Sequence, residues 1–400
     1  MSIATIATIG KVIRGVSWDK ADASDSSRSD YLPILRAGNI GNGLNTKEDL
    51  VWVPSKNVSA DQKIRAGDIA ICMSSGSPAV VGKTAASPTD WTGSVGAFCA
   101  IVRANPAKCL PEYLGLFLKS PRFRKWTSEA QGANIKNIKK SSLEGFEIWL
   151  PPVPEQRRIV DLLSRAEGIV RLRREAEKKA AELIPALFVD MFGDPVTNPQ
   201  GWPVENLDSV AQIISGATKG RRFAPNDAIE VPYMRVANVK DGYLDLTEIK
   251  TITVKRNEVE RFRLLPGDLL LTEGGDPDKL GRGALWAGEI ETCLHQNHIF
   301  KVRADRSRLV PEYLCELAAS RYGKAYFLRV AKKTTGIASI NKTQLGKFPV
   351  VIPPLDKQQG FGEQLRTVRS IQFQQSAATA KAQATFDALL ANVFDNRGTA

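Results

Sequence analysis

Pro111-Glu112-Tyr113-Leu114 recurs as Pro311-Glu312-Tyr313-Leu314, and the reading of this pair decides the architecture. In the same register, Arg103-Ala104 meets Arg303-Ala304, Gly67-Asp68 meets Gly267-Asp268, and Ser120 meets Ser320. With a slip of one or two residues, the segment from Pro33 to Ile40 (PILRAGNI) meets Pro232 to Val239 (PYMRVANV), and Leu150-Pro151-Pro152 meets Ile352-Pro353-Pro354. Chance does not hold one register over so long a stretch. The chain is two copies of one unit, and a shift near 200 residues marks paired domains rather than a solenoid.

Within each copy, short β-type runs such as Leu32 to Leu35, Asp68 to Met73 and Phe98 to Val102 are bounded by Gly, Asn, Ser and Pro. A helix is expected after Pro111-Glu112 and Pro311-Glu312, because proline suits the first helical turn and a carboxylate there suits the helix dipole. A last strand, Phe146 to Leu150 or Phe348 to Ile352, is stopped by the double proline. The fold class is therefore α+β.

The segments after the prolines differ in kind. From Pro154 to Met191, apolar Ile159, Leu162, Leu163, Ala166, Ile169, Val170, Ala176, Ala180, Leu183 and Leu187 recur at three- and four-residue intervals. That spacing predicts a long amphipathic helix, kinked or ended in its regular part by Pro185, which lacks a backbone donor. Asp356 to about Asp395 repeats the pattern with Phe361, Leu365, Val368, Ile371, Ala378, Ala382, Phe386, Leu389, Leu390 and Val393. Each helix would be roughly 50–60 Å long at 1.5 Å per residue, too long to bury its stripe on one small domain. The two stripes are expected to bury each other as an antiparallel, coiled-coil-like pair. The alternative is that each helix folds back on its own domain. The expected limits are a first domain at 1–152, a central helix at 153–194, a second domain at 195–353 and a C-terminal helix at 354–400.

The charge sits where these domains sit. Lys and Arg number 55 against 43 acids, and the net excess of +12 divides into +6 over residues 1–150 and +5 over 195–352, with almost none on the helices. Two separate basic blocks favour a polyanionic partner, because each phosphate neutralised releases condensed counterions. The longest apolar runs are strand-sized, far short of the roughly 18 residues a membrane helix needs. The start, Met1-Ser2-Ile3-Ala4-Thr5, carries no basic region before an apolar stretch. A cytoplasmic protein that engages no membrane is expected. Cys72, Cys99, Cys109, Cys293 and Cys315 form an odd set without a CxxC pair, which argues for buried, reduced thiols.

Candidate catalytic and metal sites fare poorly. Ser77 to Thr84 (SPAVVGKT) approaches a phosphate-binding loop, but Ser77 stands where the first glycine belongs. The second copy keeps glycines and a basic residue, Gly274 to Arg282, and loses the Lys-Thr. Cys293, His295 and His298 lie close in sequence, yet strand alternation places His298 on the face opposite the other two. Asp227 with Glu248 and Lys250 is too ordinary a combination to mark a nuclease. Neither an Asn-Pro-Pro-aromatic methyltransferase motif nor a glycine-rich dinucleotide fingerprint is present. No catalytic machinery and no metal site are expected on this chain.

What recurs suits contact with DNA. The segments Gly132 to Lys140 (GANIKNIKK) and Lys332 to Lys342 (KKTTGIASINK) mix Gly, amide or hydroxyl, and Lys just before the last strand. Lysine holds phosphate, whereas Asn and Gln can read adenine edges in the major groove. In the first copy the candidates are Arg36, Asn39, Ser74, Ser75, Lys83, Asn134, Lys136, Asn137 and Lys139. In the second they are Arg235, Asn238, Glu273, Lys279, Arg282, His295, Gln296, Lys332, Lys333, Thr335, Asn341 and Lys342. Turn-forming amides and solvated charges are the bland reading of each single residue. The segments carry more weight than their members.

Over its whole length the chain resembles the specificity subunit of type I restriction-modification systems. The resemblance rests on the duplicated unit, on the runs Gly67 to Ile71 and Gly267 to Leu271, and on the junction Leu150-Pro151-Pro152-Val153-Pro154-Glu155-Gln156-Arg157-Arg158-Ile159. The second junction, Ile352-Pro353-Pro354-Leu355-Asp356-Lys357-Gln358-Gln359, departs from it with Lys357 in place of Glu155. The resemblance implies two target-recognition domains, each reading one half of a split site in double-stranded DNA for phage defence. It also implies paired helices that dock two methyltransferase subunits, and restriction subunits that complete the complex. S-adenosylmethionine would then sit on the methyltransferase, and ATP and magnesium on the restriction subunit, with no cofactor on this chain. A scaffold that binds nucleic acid without sequence preference is the alternative. With heads about 40–50 Å apart, the half-sites would lie on the order of one helical turn apart.

Overall fold

A computed structural model describes residues 2–41, 43–129, 136–221, 223–276, 279–334 and 336–395. The chain forms two compact units, one from residues 1–175 with 376–400 and one from 176–375, so that each long helix is shared between them.

In the first unit the strands Ile69–Cys72 and Cys99–Ala104 lie at the centre of a four-stranded antiparallel sheet, flanked by Gly10–Arg14 and Thr84–Ala86. Their sequences, IAIC and CAIVRA, are apolar at nearly every position because both faces of the sheet are covered. Ile69, Ile71, Ala100 and Val102 pack on one side with the helix Pro111–Phe117, whereas Ala70, Cys72, Cys99 and Ile101 pack on the other with Leu35 and Val95. Those last two belong to a small sheet of Val51–Pro54, Tyr31–Leu35 and Ser94–Val95. The second unit repeats the plan, with Ala211–Ser215, Ile299–Ala304, Leu269–Thr272 and Gly283–Leu285 in one sheet. Lys250–Lys255, Ala228–Met234 and Leu294–His295 form the other.

The residues that revealed the repeat hold this frame. Asp68 accepts Arg103 Nε and Nη2 at 2.8 and 2.7 Å and the Arg65 amide at 2.8 Å; Asp268 accepts Arg303 at 2.7 and 2.7 Å and the Leu265 amide at 2.7 Å. Both carboxylates are buried. Gly67 and Gly267 precede them at φ +81° and +93°, a region that glycine enters without steric cost. At each double proline a fully buried glutamine ties helix to domain. Gln156 Oε1 accepts the Leu110 amide at 2.9 Å while its Nε2 donates to Lys108 and Pro151 carbonyls; Gln358 does the same with Val310, Arg308 and Pro353. The substitution of Lys357 for Glu155 leaves this latch untouched.

The central segment is two helices, Val153–Ala181 and Leu183–Phe192. The break at Glu182 follows from Pro185, which has no N–H to give the Ala181 carbonyl; Glu182 bonds back three residues to Lys179 instead, and Ala186 resumes the ladder at Glu182. The C-terminal helix, Leu355–Phe394, runs unbroken for 40 residues. In the second unit Gln372 donates to the Ala180 carbonyl at 2.6 Å, and Phe188 and Phe192 meet Phe361 at 5.6 and 5.3 Å, so the two helices run antiparallel there. In the first unit Arg174 reaches Gln383 at 2.8 Å. Neither expected packing scheme is the whole account, because the buried part of each stripe is covered by the partner helix and by a domain together, whereas Leu162, Ile169, Leu183 and Ile371, expected on the stripes, are exposed. Ile159, Leu163, Phe386, Leu390 and Phe394 all join the core of the first unit. The end of the C-terminal helix thus serves the first domain as Leu183–Phe192 serves the second: Phe394 packs on Tyr113 at 5.5 Å, and Phe192 on Tyr313 at 4.8 Å. The five cysteines are buried and free.

Candidate nucleic-acid interface

The two loop segments singled out in each copy lie far apart in sequence and side by side in space. In the first unit Ser74–Ser75 pairs with Lys136–Asn137, Ser75 opposite Lys136 and Ser74 opposite Asn137. In the second, Gly274 and Gly275 lie opposite Ser339 and Ala338, and Ile337–Ser339 pairs onward with Lys332–Thr334. Lys332 and Lys333 are exposed on this hairpin. The connection that begins at Ser74 closes through Gly82 and Lys83, whose amide and carbonyl bond to Cys72; Lys83 is exposed and leads into the strand Thr84–Ala86. No helix follows Lys83, so the strand–loop–helix context of a phosphate-binding loop is missing. Arg282 holds the place of Lys83 in the second unit, with its carbonyl accepting the Thr272 amide at 2.9 Å, and Lys279 pairs with Asp276.

Beside the Ser74–Ser75 tip the first unit has a groove of about 1180 Å³ lined by Arg36, Asp49, Ser74, Ser75 and Phe98 among others. Arg36 is exposed and its Nη2 donates to the Asp49 carbonyl at 3.2 Å, leaving the guanidinium without a carboxylate among its described bonds. Phe98 sits on the turn before the strand Cys99–Ala104, and its carbonyl accepts the Met73 and Ser74 amides at 2.8 and 3.0 Å. Its ring is 71% exposed. By sequence alone Phe98 reads as part of the strand, and alternation along FCAIV places it with Ala100 and Val102 on a covered face of the sheet, so the sequence carries no signal of its exposure.

The corresponding turn in the second unit is Gln296-Asn297-His298, and the His298 carbonyl accepts the Glu273 amide at 3.0 Å. His298 Nδ1 lies 2.9 Å from Glu273 Oε2, and both side chains reach solvent. Arg235 donates to the Glu248 carbonyl and carboxylate, both at 3.0 Å. Arg235 and Lys250 hold the Glu248 carboxyl below the usual carboxylate range. Glu248 is thus engaged by cations and is not an idle member of a catalytic trio with Asp227.

Three expected contact residues are structural. Asn39 is buried: its Oδ1 accepts the Arg36 amide at 2.8 Å, and its Nδ2 donates to the Asn45 and Glu48 carbonyls. Asn238 repeats this with Arg235, Asp245 and Glu248. A buried amide with its oxygen and nitrogen so engaged cannot present its edge to a base, and its role is to build the short turn that aims the arginine. His295 is fully buried, with Nδ1 3.0 Å from the Phe262 carbonyl and Nε2 3.2 Å from that of Ile214. Burial and the Lys301 ammonium pull it down to about 4, against the pull of those carbonyls, so it is neutral near pH 7. Lys301, itself buried and pulled down to about 8 chiefly by burial, donates to the Arg261 and Arg263 carbonyls. Among the described residues, no group of three or more His, Cys, Asp or Glu side chains is placed to hold a metal.

Asn341 caps the helix Lys342–Gly346, its Oδ1 accepting the Gln344 amide at 2.8 Å, with Lys342 exposed beside it. Gln296 is half-exposed, and Asn137 and Lys139 are exposed. Asn134 and Thr335 lie outside the described residues. Among the described residues, no helix is long and apolar enough to cross a membrane.

Comparison with known proteins agrees with this geometry. Residues 3–182 and 199–380 each match the family described as the type I restriction modification DNA specificity domain. The chain is 31% identical over 374 residues to the type I restriction enzyme EcoKI specificity subunit of Escherichia coli K12, covering 89% of this chain and 79% of that protein. It is also 31% identical over 376 residues to the StySPI specificity subunit of Salmonella potsdam, with the same coverage. Among solved structures, a chain described in a study of complex assembly and conformational transition of the type I R-M system superposes with a TM-score of 0.60 at 18% identity, over 97% of this chain and 96% of that one. The type I S subunit from M. genitalium superposes with a TM-score of 0.54 at 14% identity, over 98% and 96%. With a duplicated fold, paired loop tips in both units and a family match over both halves, this chain belongs to the type I restriction-modification DNA specificity family.

Proposed function

We propose that the chain is the specificity subunit of a type I restriction-modification complex and that each unit reads one half of a bipartite DNA site. The observation that carries this reading is the pairing of the two loop segments in both units, beside an arginine aimed by a buried asparagine. Exposed lysines at the tips set phosphate register, and the groove side chains meet base edges. The tips differ between units in nearly every polar group, so the two half-sites differ in sequence.

Chemistry falls to partners in this reading: methylation to two methyltransferase subunits carrying S-adenosylmethionine, and cleavage to restriction subunits using ATP and magnesium. The helices supply docking surface, for Leu162, Ile169 and Leu172 in one unit and Phe373 in the other are exposed apolar residues on otherwise charged helices. Replacing residues 1–150 by the first domain of another family member, in cells whose genome methylation is mapped, should change one half of the modified sequence. A change in both halves, or in neither, refutes the division. Salt-titrated binding of target against random duplex separates this reading from a non-specific scaffold, which would show one affinity for both. The purified chain alone should modify no DNA.

A further inference from the structure

We infer that Phe98 is a specificity-determining residue of the first half-site, where its ring contacts the C5 methyl group of a thymine in the major groove. The inference rests on the reading of the chain as a DNA specificity subunit and goes beyond it to one base and one side chain.

Phe98 is the large aromatic side chain on the lining of the first groove that is mostly solvent-exposed, at 71%, beside Arg36, Ser74 and Ser75. Isolated exposed apolar residues need no explanation on a protein surface, but this one is displayed on a rigid turn. Cys99 N donates to the Gly96 carbonyl at 2.7 Å, and the Phe98 carbonyl is held by the Met73 and Ser74 amides. A ring with few rotatable bonds on a fixed backbone loses little entropy on contact. The same position in the second unit carries His298, bonded to Glu273, so both units place a reading-size side chain there and only the chemistry changes.

Exposed cations on this unit suit a polyanionic occupant. Arg36 and Lys83 are exposed, and Lys139 follows the strand that pairs with Ser74–Ser75. Arg36 is the cation on the groove lining, which also holds Asp49, and a duplex that met Arg36 and the exposed lysines with its phosphates would bring base edges to the small polar and apolar part of that lining. Phenylalanine offers neither donor nor acceptor. The one apolar group that unmodified base edges present in the major groove is the thymine methyl, so a ring seated there discriminates by that group.

The test uses the full chain assembled with its methyltransferase partners and duplexes carrying the site defined by methylation mapping. Each thymine of the first half-site is replaced in turn by deoxyuridine, which lacks only the methyl. At one position the substitution should weaken binding by the wild-type complex about fourfold, the effect of exposing one buried methyl. It should leave Phe98→Ala unaffected, and Phe98→Leu should keep part of the sensitivity. Deoxyuridine in the second half-site should affect wild type and Phe98→Ala alike, which also shows that the variant is folded. Sequence-specific binding with no methyl-sensitive thymine in the first half-site, or with the same sensitivity in Phe98→Ala, overturns this inference alone. Failure of the wild-type complex to prefer its site over random duplex overturns the specificity-subunit reading, and this inference with it.

Discussion

The loop tips of the first unit and those of the second are built on one frame and finished with opposite chemistry. Both aim an arginine with a buried asparagine and both bring two loop segments together in antiparallel pairing. The first then shows Arg36 without a carboxylate partner among the described bonds, two serines and a bare phenyl ring, whereas the second shows Arg235 bound to Glu248, two glycines, and His298 bound to Glu273. The two units thus differ in the groups they present without differing in frame, because those groups stand on turns whose main-chain bonds are kept in both. The comparison predicts that frame substitutions act alike in both units and tip substitutions do not.

The largest effect belongs to the frame. Replacing Asp68 or Asp268 by Ala leaves a partly buried guanidinium and one main-chain donor, the amide of Arg65 or of Leu265, without their acceptor, and breaking a fully buried pair costs about 3–5 kcal/mol, which is the upper bound here. Denaturant unfolding should show comparable losses for the two variants, with the second the smaller because Arg303 is more exposed than Arg103 (34% against 15% of the side chain). A large loss in one unit and none in the other would break the premise of a common frame.

Acid should separate the units. His295 has an ordinary value of 6.5 and is pulled down to about 4 in the folded chain, chiefly by burial. Between those values the unfolded chain binds a proton that the folded chain does not, so stability is intact above about pH 6.5 and falls as the pH drops towards 4. The full shift is worth roughly 3 kcal/mol at 1.36 kcal/mol per unit. The first unit carries Val95 at the matching strand position, opposite Leu35 as His295 is opposite Met234. Hydrogen exchange should show the second unit loosening between pH 6.5 and 4.5 more than the first, and His295→Val should remove the difference. Equal loosening in both units, or no change in His295→Val, would mean that other groups govern the acid response.

The duplication, the Gly-Asp turns and the double-proline junctions are legible in the sequence because each depends on residues adjacent along the chain. The break near Pro185 is legible for the same reason. What escapes depends on distant partners. Asn39 and Asn238 have the composition of base readers, and only the carbonyls of Glu48 and Glu248 reveal them as braces. The end of the C-terminal helix completes the first domain through Phe394 on Tyr113, a contact across nearly the whole chain that no local periodicity encodes. Phe98 is hidden by its neighbours, since a phenylalanine before CAIV reads as the first residue of a buried strand. The loop segments stand out in the sequence and their pairing does not, because β register is set by hydrogen bonds between strands that sequence spacing leaves open.

The smallest effect is the most direct probe of the difference between the two sets of loop tips. Glu248 bridges Arg235 at 3.0 Å and Lys250 at 3.3 Å, so it neutralises cations that would otherwise be available to phosphate. Glu248→Gln keeps the shape and the main-chain carbonyl that Arg235 and Asn238 use, and removes the charge. Binding of the assembled complex to its site should then grow steeper in salt, with the slope of log K against log[salt] increasing in magnitude by about 0.9 for each additional phosphate neutralised. In the first groove Arg36→Ala should move the slope by a similar amount in the opposite direction, because Arg36 meets the Asp49 carbonyl rather than a carboxylate. If Glu248→Gln leaves the slope unchanged while Arg36→Ala lowers it, Arg235 serves the protein's own turn rather than the DNA. The two units would then share an architecture while dividing the electrostatic work unequally.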